Sequence, residues 1–305
     1  MVGFIFAGQG SQYVGMGKDL YDNFPESKSV FDRAEKTLGI DLKRRCFDGP
    51  QELLKLTSIS QPAIVTMSLA ALAAFKVKLN IKPKFMAGLS LGEYTALIAA
   101  GAVSLEDGLR LVGRRGEIMD EAARKNPGKM AAVLDLPLDK VKDICLKSGC
   151  SVANINAPGQ IVISGKPEAV DRAGKTCLEI GAKRVIDLEV SGAFHSSLML
   201  EASIELKKVL DNAPLTSTEI PVISNYTALP EQRFAQIKEN LVYQMYSSVK
   251  WENSMKYMIS QGVNKFYEFG PGKVLKGLMR RINPDVGVIN IEKGQDLANL
   301  AIEGA

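Results

Sequence analysis

Residues 84–100 read Lys84-Phe85-Met86-Ala87-Gly88-Leu89-Ser90-Leu91-Gly92-Glu93-Tyr94-Thr95-Ala96-Leu97-Ile98-Ala99-Ala100: a short apolar run, a glycine-flanked serine, then a second apolar run of helical length. Pro83 before and Gly101 after bound the stretch, predicting a strand over 84–87 and a helix over 93–100. A Gly-x-Ser-x-Gly turn between strand and helix exposes the serine oxygen. It also aims the amide of the next residue at a developing oxyanion. The pentapeptide alone is equally a plain glycine-rich turn; its setting favours Ser90 as a nucleophile.

Working outward, residues 2–7 form an apolar strand that runs into Gly8-Gln9-Gly10-Ser11-Gln12. That turn lacks GxGxxG spacing and a P-loop lysine, so it reads as a tight strand end or as a second oxyanion donor approaching Ser90. Helical patterns cover 23–38, 62–79 and 105–124, the last broken by Asn126-Pro127-Gly128. Strands separated by helices predict an α/β domain with a largely parallel sheet. Residues 129–134, 138–147, 151–156, 160–164, 167–180 and 183–190 follow as strand, helix, strand, strand, helix and strand. This is the order of a ferredoxin-like unit. The expectation is a compact insert over 127–190 within a discontinuous catalytic domain of 1–126 and 191–305.

Apolar residues make up 46% and charged residues 24% of the 305, the composition of a globular chain with a sizeable core. A formal net charge of +4 argues against a dedicated nucleic-acid binder and suits an enzyme that meets anionic ligands or an acidic partner. Four cysteines without a CxxC pair, beside a single histidine, predict reduced buried thiols and no metal site. No basic, apolar leader precedes Gly8, and the uncharged stretch 56–75 is polar in its first third. A core helix starting near Pro62 is therefore expected rather than a membrane span, and a cytoplasmic location.

The one histidine, His195, lies in Ser191-Gly192-Ala193-Phe194-His195-Ser196-Ser197. A lone histidine is often structural. A serine nucleophile at neutral pH, however, needs a base, and imidazole suits that task at an ordinary pKa of about 6.5. No aspartate stands out as a third member; a carbonyl can hold the ring, since only the tautomer needs fixing. Arg114 and Arg115 lie on a helix where most arginines face solvent, but Gly113 and Gly116 leave room for one inward guanidinium.

Taken in order, Gly8-Gln9-Gly10-Ser11-Gln12, Gln61-Pro62-Ala63, Gly88-Leu89-Ser90-Leu91-Gly92-Glu93-Tyr94, Arg115-Gly116, Asn156-Ala157-Pro158-Gly159-Gln160, Phe194-His195 and Glu268-Phe269-Gly270-Pro271-Gly272 resemble the malonyl-CoA:acyl carrier protein transacylases of bacterial fatty-acid synthesis. The resemblance covers nearly the whole chain. It implies an α/β-hydrolase-like core with a ferredoxin-like insert, and a malonyl group carried from malonyl-CoA to acyl carrier protein through Ser90. It further implies that His195 is the base, that the Gln9 and Leu91 amides form the oxyanion hole, and that Arg115 meets the malonyl carboxylate. The Gln244 carbonyl would orient the histidine, and Asn154 would line the pocket. Phe194, beside the base, is expected to crowd the substrate α-carbon. Coenzyme A enters as a substrate thioester, with no cofactor, metal, nucleic acid or membrane. Lys273, Lys276, Arg280 and Arg281 are candidates for meeting the acidic carrier. One departure concerns Leu89, where most relatives carry a histidine that is not the base; it bears on the polarity of the pocket floor. The rival readings are a serine hydrolase or thioesterase that passes the acyl group to water, and a non-catalytic carrier-docking module.

Overall fold

The computed structural model describes residues 1–303; the last two residues of the segment expected to run to 305 lie outside them. Among the described residues the strands form two sheets. The larger contains β1 (Val2–Phe6), β2 (Phe85–Gly88), β7 (Val222–Ile223), β8 (Pro230–Glu231), β9 (Lys265–Phe269) and β10 (Gly287–Ile291), in the order β10-β9-β1-β2-β7-β8. All neighbours are parallel except the β7–β8 pair at the edge. Phe4, Ile5 and Phe6 of β1 are all fully buried, as a central parallel strand covered on both faces requires.

Aromatic side chains cement one face of this sheet. Phe4 and Phe269 meet Phe75 of the covering helix with ring centroids 5.6 and 5.2 Å apart, in edge-to-face geometry. That helix, Thr57–Lys78, is long and apolar enough to cross a membrane, but 83% of its most apolar window is buried inside the fold. It starts five residues before the expected Pro62, which falls inside it. Its first turn is polar: the Thr57 hydroxyl bonds to Gln9 and Ser191, Ser58 donates its backbone N–H to Asp120, and that polarity disguised the helix start.

Two other expected elements are redrawn, while the remaining ends shift by at most one or two residues. The helix expected over 23–38 is two, Lys18–Asn23 and Pro25–Leu38, because Phe24 is extended and Pro25 takes the first helical position. The strand expected over 183–190 shortens to β6, Arg184–Asp187.

The smaller sheet draws on β3 (Lys129–Leu134), β4 (Ser151–Ala157), β5 (Gln160–Gly165) and β6, in the antiparallel order β4-β5-β3-β6. The helices Leu138–Ser148 and Pro167–Glu179 pack on it around Val133, Ile161 and Ile163. It is tied to the rest of the molecule through β4, where Val249 donates to Ala153 O at 2.8 Å and accepts from Ile155 N at 2.9 Å. Arg281 adds a bond to Asp135 at 2.6 Å. All four cysteines are free; Cys46, Cys145 and Cys177 are buried and Cys150 is half-buried, less covered than expected.

In the larger sheet the register pairs Phe6 with both Gly88 and Phe269, so three parallel strands end level. The turns at Gly8, Ser90 and Gly270 therefore share one edge, the carboxyl end where open α/β sheets hold their ligands. Two glycines permit this. A Cβ on Gly88 would stand 1.9 Å from the carbonyl carbon of Gly92, and one on Gly92 would stand 2.3 Å from Phe6 O. The obstacles are backbone atoms, which cannot move aside. Gly88→Ala or Gly92→Ala should destabilise the protein by about 3 kcal/mol or more in chemical denaturation. Gly277→Ala, in the helix Val274–Ile282 with nothing within 4 Å, should instead stabilise it by about 0.5–1 kcal/mol.

Candidate active site

Ser90 caps the helix Leu91–Ala99 with φ 51° and ψ −95°, a conformation that a non-glycine residue adopts only when its surroundings impose it. The imposition comes from Asn225. Its Oδ1 accepts from Ser90 N at 2.6 Å while its Nδ2 donates to Gly88 O at 2.8 Å, bracing both sides of the turn. The Ser90 side chain takes no part in capping and points away.

His195 also has positive φ, 57°, and its ring is buried. Its Nε2 lies 2.8 Å from Ser90 Oγ and its Nδ1 lies 2.8 Å from the backbone carbonyl of Gln244. A carbonyl can only accept, so Nδ1 carries the proton and Nε2 is left to accept from the serine hydroxyl. Burial, reinforced by the Arg115 charge, pulls the imidazole down to about 4, against the pull of the Gln244 carbonyl. The ordinary 6.5 expected from the sequence does not apply. The ring is neutral across the physiological range.

Arg115 is the inward arginine of its pair; Arg114 is exposed and bonds to Glu117. The Arg115 guanidinium donates from Nη2 to Ser90 Oγ at 3.2 Å and to Gln244 Oε1 at 3.1 Å, and lies 4.9 Å from the Tyr94 ring centre. Its Nε has no partner, and it forms no salt bridge among the described residues. A buried cation with no ion pair, beside a serine oxygen, is costly unless an anion arrives to meet it.

Gln9 and Leu91 follow the ends of β1 and β2, and neither backbone amide has a protein acceptor among the described residues. The two turns touch, since a Cβ on Gly8 would stand 2.6 Å from Leu89 O. The Gln9 side chain is held at 3.3 Å by both Thr57 and Gln61. Leu89, where the resemblance expects histidine, is half-buried against the apolar cluster beneath.

Two expected site residues stand apart from these bonds. Asn154 is buried in β4 and bridges to Val249; its side chain makes no hydrogen bond to Ser90, His195 or Arg115 among the described residues. Phe194 packs into the main core next to His195. Of the basic side chains, Lys273 and Arg280 are exposed and Lys276 half-buried, but Arg281 is engaged with Asp135 and the Pro158 carbonyl, so it is not free for a partner. Among the described residues no group of three potential metal ligands converges.

Residues 3–276 match the family model described as an acyl transferase domain. The chain belongs to the acyl transferase family. It is 45% identical to the malonyl CoA-acyl carrier protein transacylase of Bacillus subtilis (strain 168), over 99% of this chain and 96% of that one. The solved malonyl CoA-acyl carrier protein transacylase from Clostridium perfringens superposes with a TM-score of 0.94 at 42% identity, over 99% of this chain and 96% of that one. A structure described as a type II PKS acyl-carrier protein in complex with its malonyl-transacylase superposes at 0.96 with 36% identity, over 100% of this chain and 99% of that one.

Several residues of this acyl transferase site went unmarked in the sequence. Asn225 lies in a loop with no motif around it. Glu93 stands inside the Ser90 motif but carried no assigned role, and Glu231 and Asn240 lie on distant elements. Their only signal was polarity next to apolar neighbours, which burial turns into a bonded network.

Because His195 is the sole histidine, its titration is directly visible. By NMR the ring should protonate near pH 4, with Nδ1 bearing the proton above that. A midpoint near 6.5 would mean that the ring is solvated and the Arg115 charge screened.

Proposed function

We propose that this acyl transferase moves a malonyl group from malonyl-CoA to the phosphopantetheine thiol of acyl carrier protein in fatty-acid synthesis, through a malonyl ester on Ser90. The relatives named for this reaction align along nearly the whole chain. The observation that carries the substrate assignment is Arg115, a buried guanidinium that forms no salt bridge among the described residues and lies 3.2 Å from the serine oxygen. Malonyl differs from acetyl by one carboxylate, and the guanidinium fork matches both of its oxygens.

In the first half-reaction Ser90 Oγ attacks the thioester carbonyl and its proton passes to His195 Nε2. The oxyanion forms between the free amides of Gln9 and Leu91. Collapse expels the coenzyme A thiolate, which takes the proton back from His195. The carrier thiol then attacks the malonyl ester, again yielding its proton to His195. The second collapse frees Ser90, which recovers that proton. The Gln244 carbonyl stabilises the imidazolium formed in each half, as a triad carboxylate does elsewhere. Arg115 also times the base. Its charge holds the free imidazole down, and a malonyl carboxylate that neutralises it raises the ring's proton affinity once substrate is bound.

The same proposal takes the larger sheet as an α/β-hydrolase-like core from 1–126 and 191–305, and the smaller as a ferredoxin-like insert over 127–190. The β4-β5-β3-β6 order of the insert supports this. Asn154 and Phe194 belong to the pocket wall in this reading, and no cofactor is required because the thioester supplies the activated acyl group. The same proposal takes the location as cytoplasmic. The exposed Lys273 and Arg280 remain the basic side chains suited to an acidic carrier.

Intact mass after mixing with malonyl-CoA should show one malonyl adduct, absent in Ser90→Ala. His195→Ala should slow its formation on the order of a thousandfold. Arg115→Ala should cost malonyl transfer about two to three orders of magnitude, from about 3–5 kcal/mol for an unpaired buried carboxylate. Acetyl transfer should fall little. Equal loss on both acyl groups would make Arg115 structural and remove the case for malonyl.

As pH falls, the acidic limb for malonyl-CoA should lie higher in kcat than in kcat/KM, because substrate neutralises Arg115 in the complex. With acetyl-CoA the two limbs should coincide. Coincident limbs for malonyl-CoA would count against Arg115 as the carboxylate partner.

A further inference from the structure

We propose that Glu93 is a positioning residue for this reaction: sharing one proton with Glu231, it anchors Gln244, so that the side-chain amide receives Arg115 and the backbone carbonyl of the same residue stays in place for His195. The inference rests on the reading of Ser90 and His195 as nucleophile and base.

Gln244 makes four bonds at the site. Its backbone carbonyl receives His195 Nδ1, while of its side chain Oε1 receives Arg115 Nη2 and Nε2 donates to Ser90 O at 3.0 Å and to Glu93 Oε2 at 2.8 Å. A side-chain amide has one accepting and one donating end, and the two can exchange by a half-turn. After that exchange the NH2 would oppose the Arg115 donor. Glu93 Oε2 is an anchor against it, because it also accepts from Asn225 N at 3.0 Å and so already faces two donors.

The other half of Glu93 is unusual. Its Oε1 is buried with no donor among the described residues, and so is Oε1 of Glu231, whose Oε2 accepts from Asn240 at 2.6 Å. The two carboxyls face one another, one from the helix after the nucleophile and one from the edge strand β8. Two ionised carboxylates in contact in a buried setting are strongly unfavourable, and two buried oxygens without donors add a desolvation cost. A single proton between them removes both penalties. Burial pushes both carboxyls above the ordinary range, in keeping with a retained proton. The remaining negative charge acts on the Arg115 guanidinium through space without pairing with it, Gln244 standing between them.

Glutamine at position 93 reproduces this arrangement. Its Oε1 can accept from Asn225 N and Gln244 Nε2 while its NH2 stands where the shared proton lay and donates to Glu231. Alanine reproduces neither. The test uses ligand-free, nitrogen-15-labelled full-length protein, in which His195 supplies the sole imidazole signals, together with single-turnover acylation by malonyl-CoA. Wild type and E93Q should both show a protected Nδ1–H, and E93Q should acylate within about threefold of wild type. E93A should lose the protected Nδ1–H signal and acylate about 10- to 100-fold more slowly.

The proposal is overturned if E93A keeps the wild-type Nδ1–H signal, or if E93Q loses it as E93A does. Should E93A fail to fold, E93Q decides: a retained signal supports the proposal and a lost one refutes it. The imidazole signals do not depend on the substrate. If they behave as expected while malonyl-CoA acylates none of the proteins, positioning by Glu93 stands and the malonyl reading falls.

Discussion

The contact between the backbones of Gly88 and Gly92 is the constraint on which the site depends. It brings the helix Leu91–Ala99 down onto the end of β2 so closely that the chain between them has no relaxed path. Ser90 absorbs the strain at φ 51°, and Asn225 holds it there from the loop after β7. The same closeness leaves the Leu91 amide free at the start of the helix, next to the Gln9 turn at the end of β1. Nucleophile and oxyanion donors thus arise from one packing event, before any substrate binds. Such strain persists because the surrounding bonds over-determine it.

Beneath that turn the molecule buries an uncommon set of polar groups. Arg115, His195, Gln244, Glu93, Glu231, Asn225 and Asn240 are all withdrawn from water within one bonded system. Each would be costly alone. Together they satisfy nearly all of one another's donors and acceptors, and what they leave over is functional. The excess is a guanidinium with a free Nε and no salt bridge, aimed at the serine oxygen. A site that is complete except for one anion is selective for substrates that carry one. The cost of removing the charge from water is borne by the folded scaffold, so the incoming carboxylate meets a donor that needs no reorganisation.

The low proton affinity of His195 fits the same logic. Burial and the nearby guanidinium keep the ring neutral. A neutral ring with its Nδ1 proton committed to the Gln244 carbonyl is the form that can accept from Ser90, and it is always ready. Basicity is then supplied by the substrate, whose carboxylate cancels the positive charge that suppressed it.

Much of this was legible in the chain. The apolar strand, the glycine-flanked serine and the following helix could be read from residues 84–100, because local sterics dictate where small residues must stand. The parallel sheet followed from strands alternating with helices, and the strand and helix order of 129–187 followed from periodicity. The single histidine could be paired with Ser90 because a nucleophile needs a base and no second imidazole exists. Helix pattern alone could not show which of Arg114 and Arg115 points inward, since neighbours on a helix differ by a rotation that only packing sets; only the family resemblance singled out Arg115. The sequence hid the start of the helix at Thr57, where polar residues serve the site instead of solvent. It gave no sign that Asn225 braces the turn, that Arg281 is taken up by Asp135, or that Glu93 meets Glu231 across 138 positions. The imidazole's descent from 6.5 to about 4 was also beyond it. Residue type determines what a side chain can donate, accept or ionise. Burial and neighbours decide which of those it does, and they exist only once the chain has closed on itself.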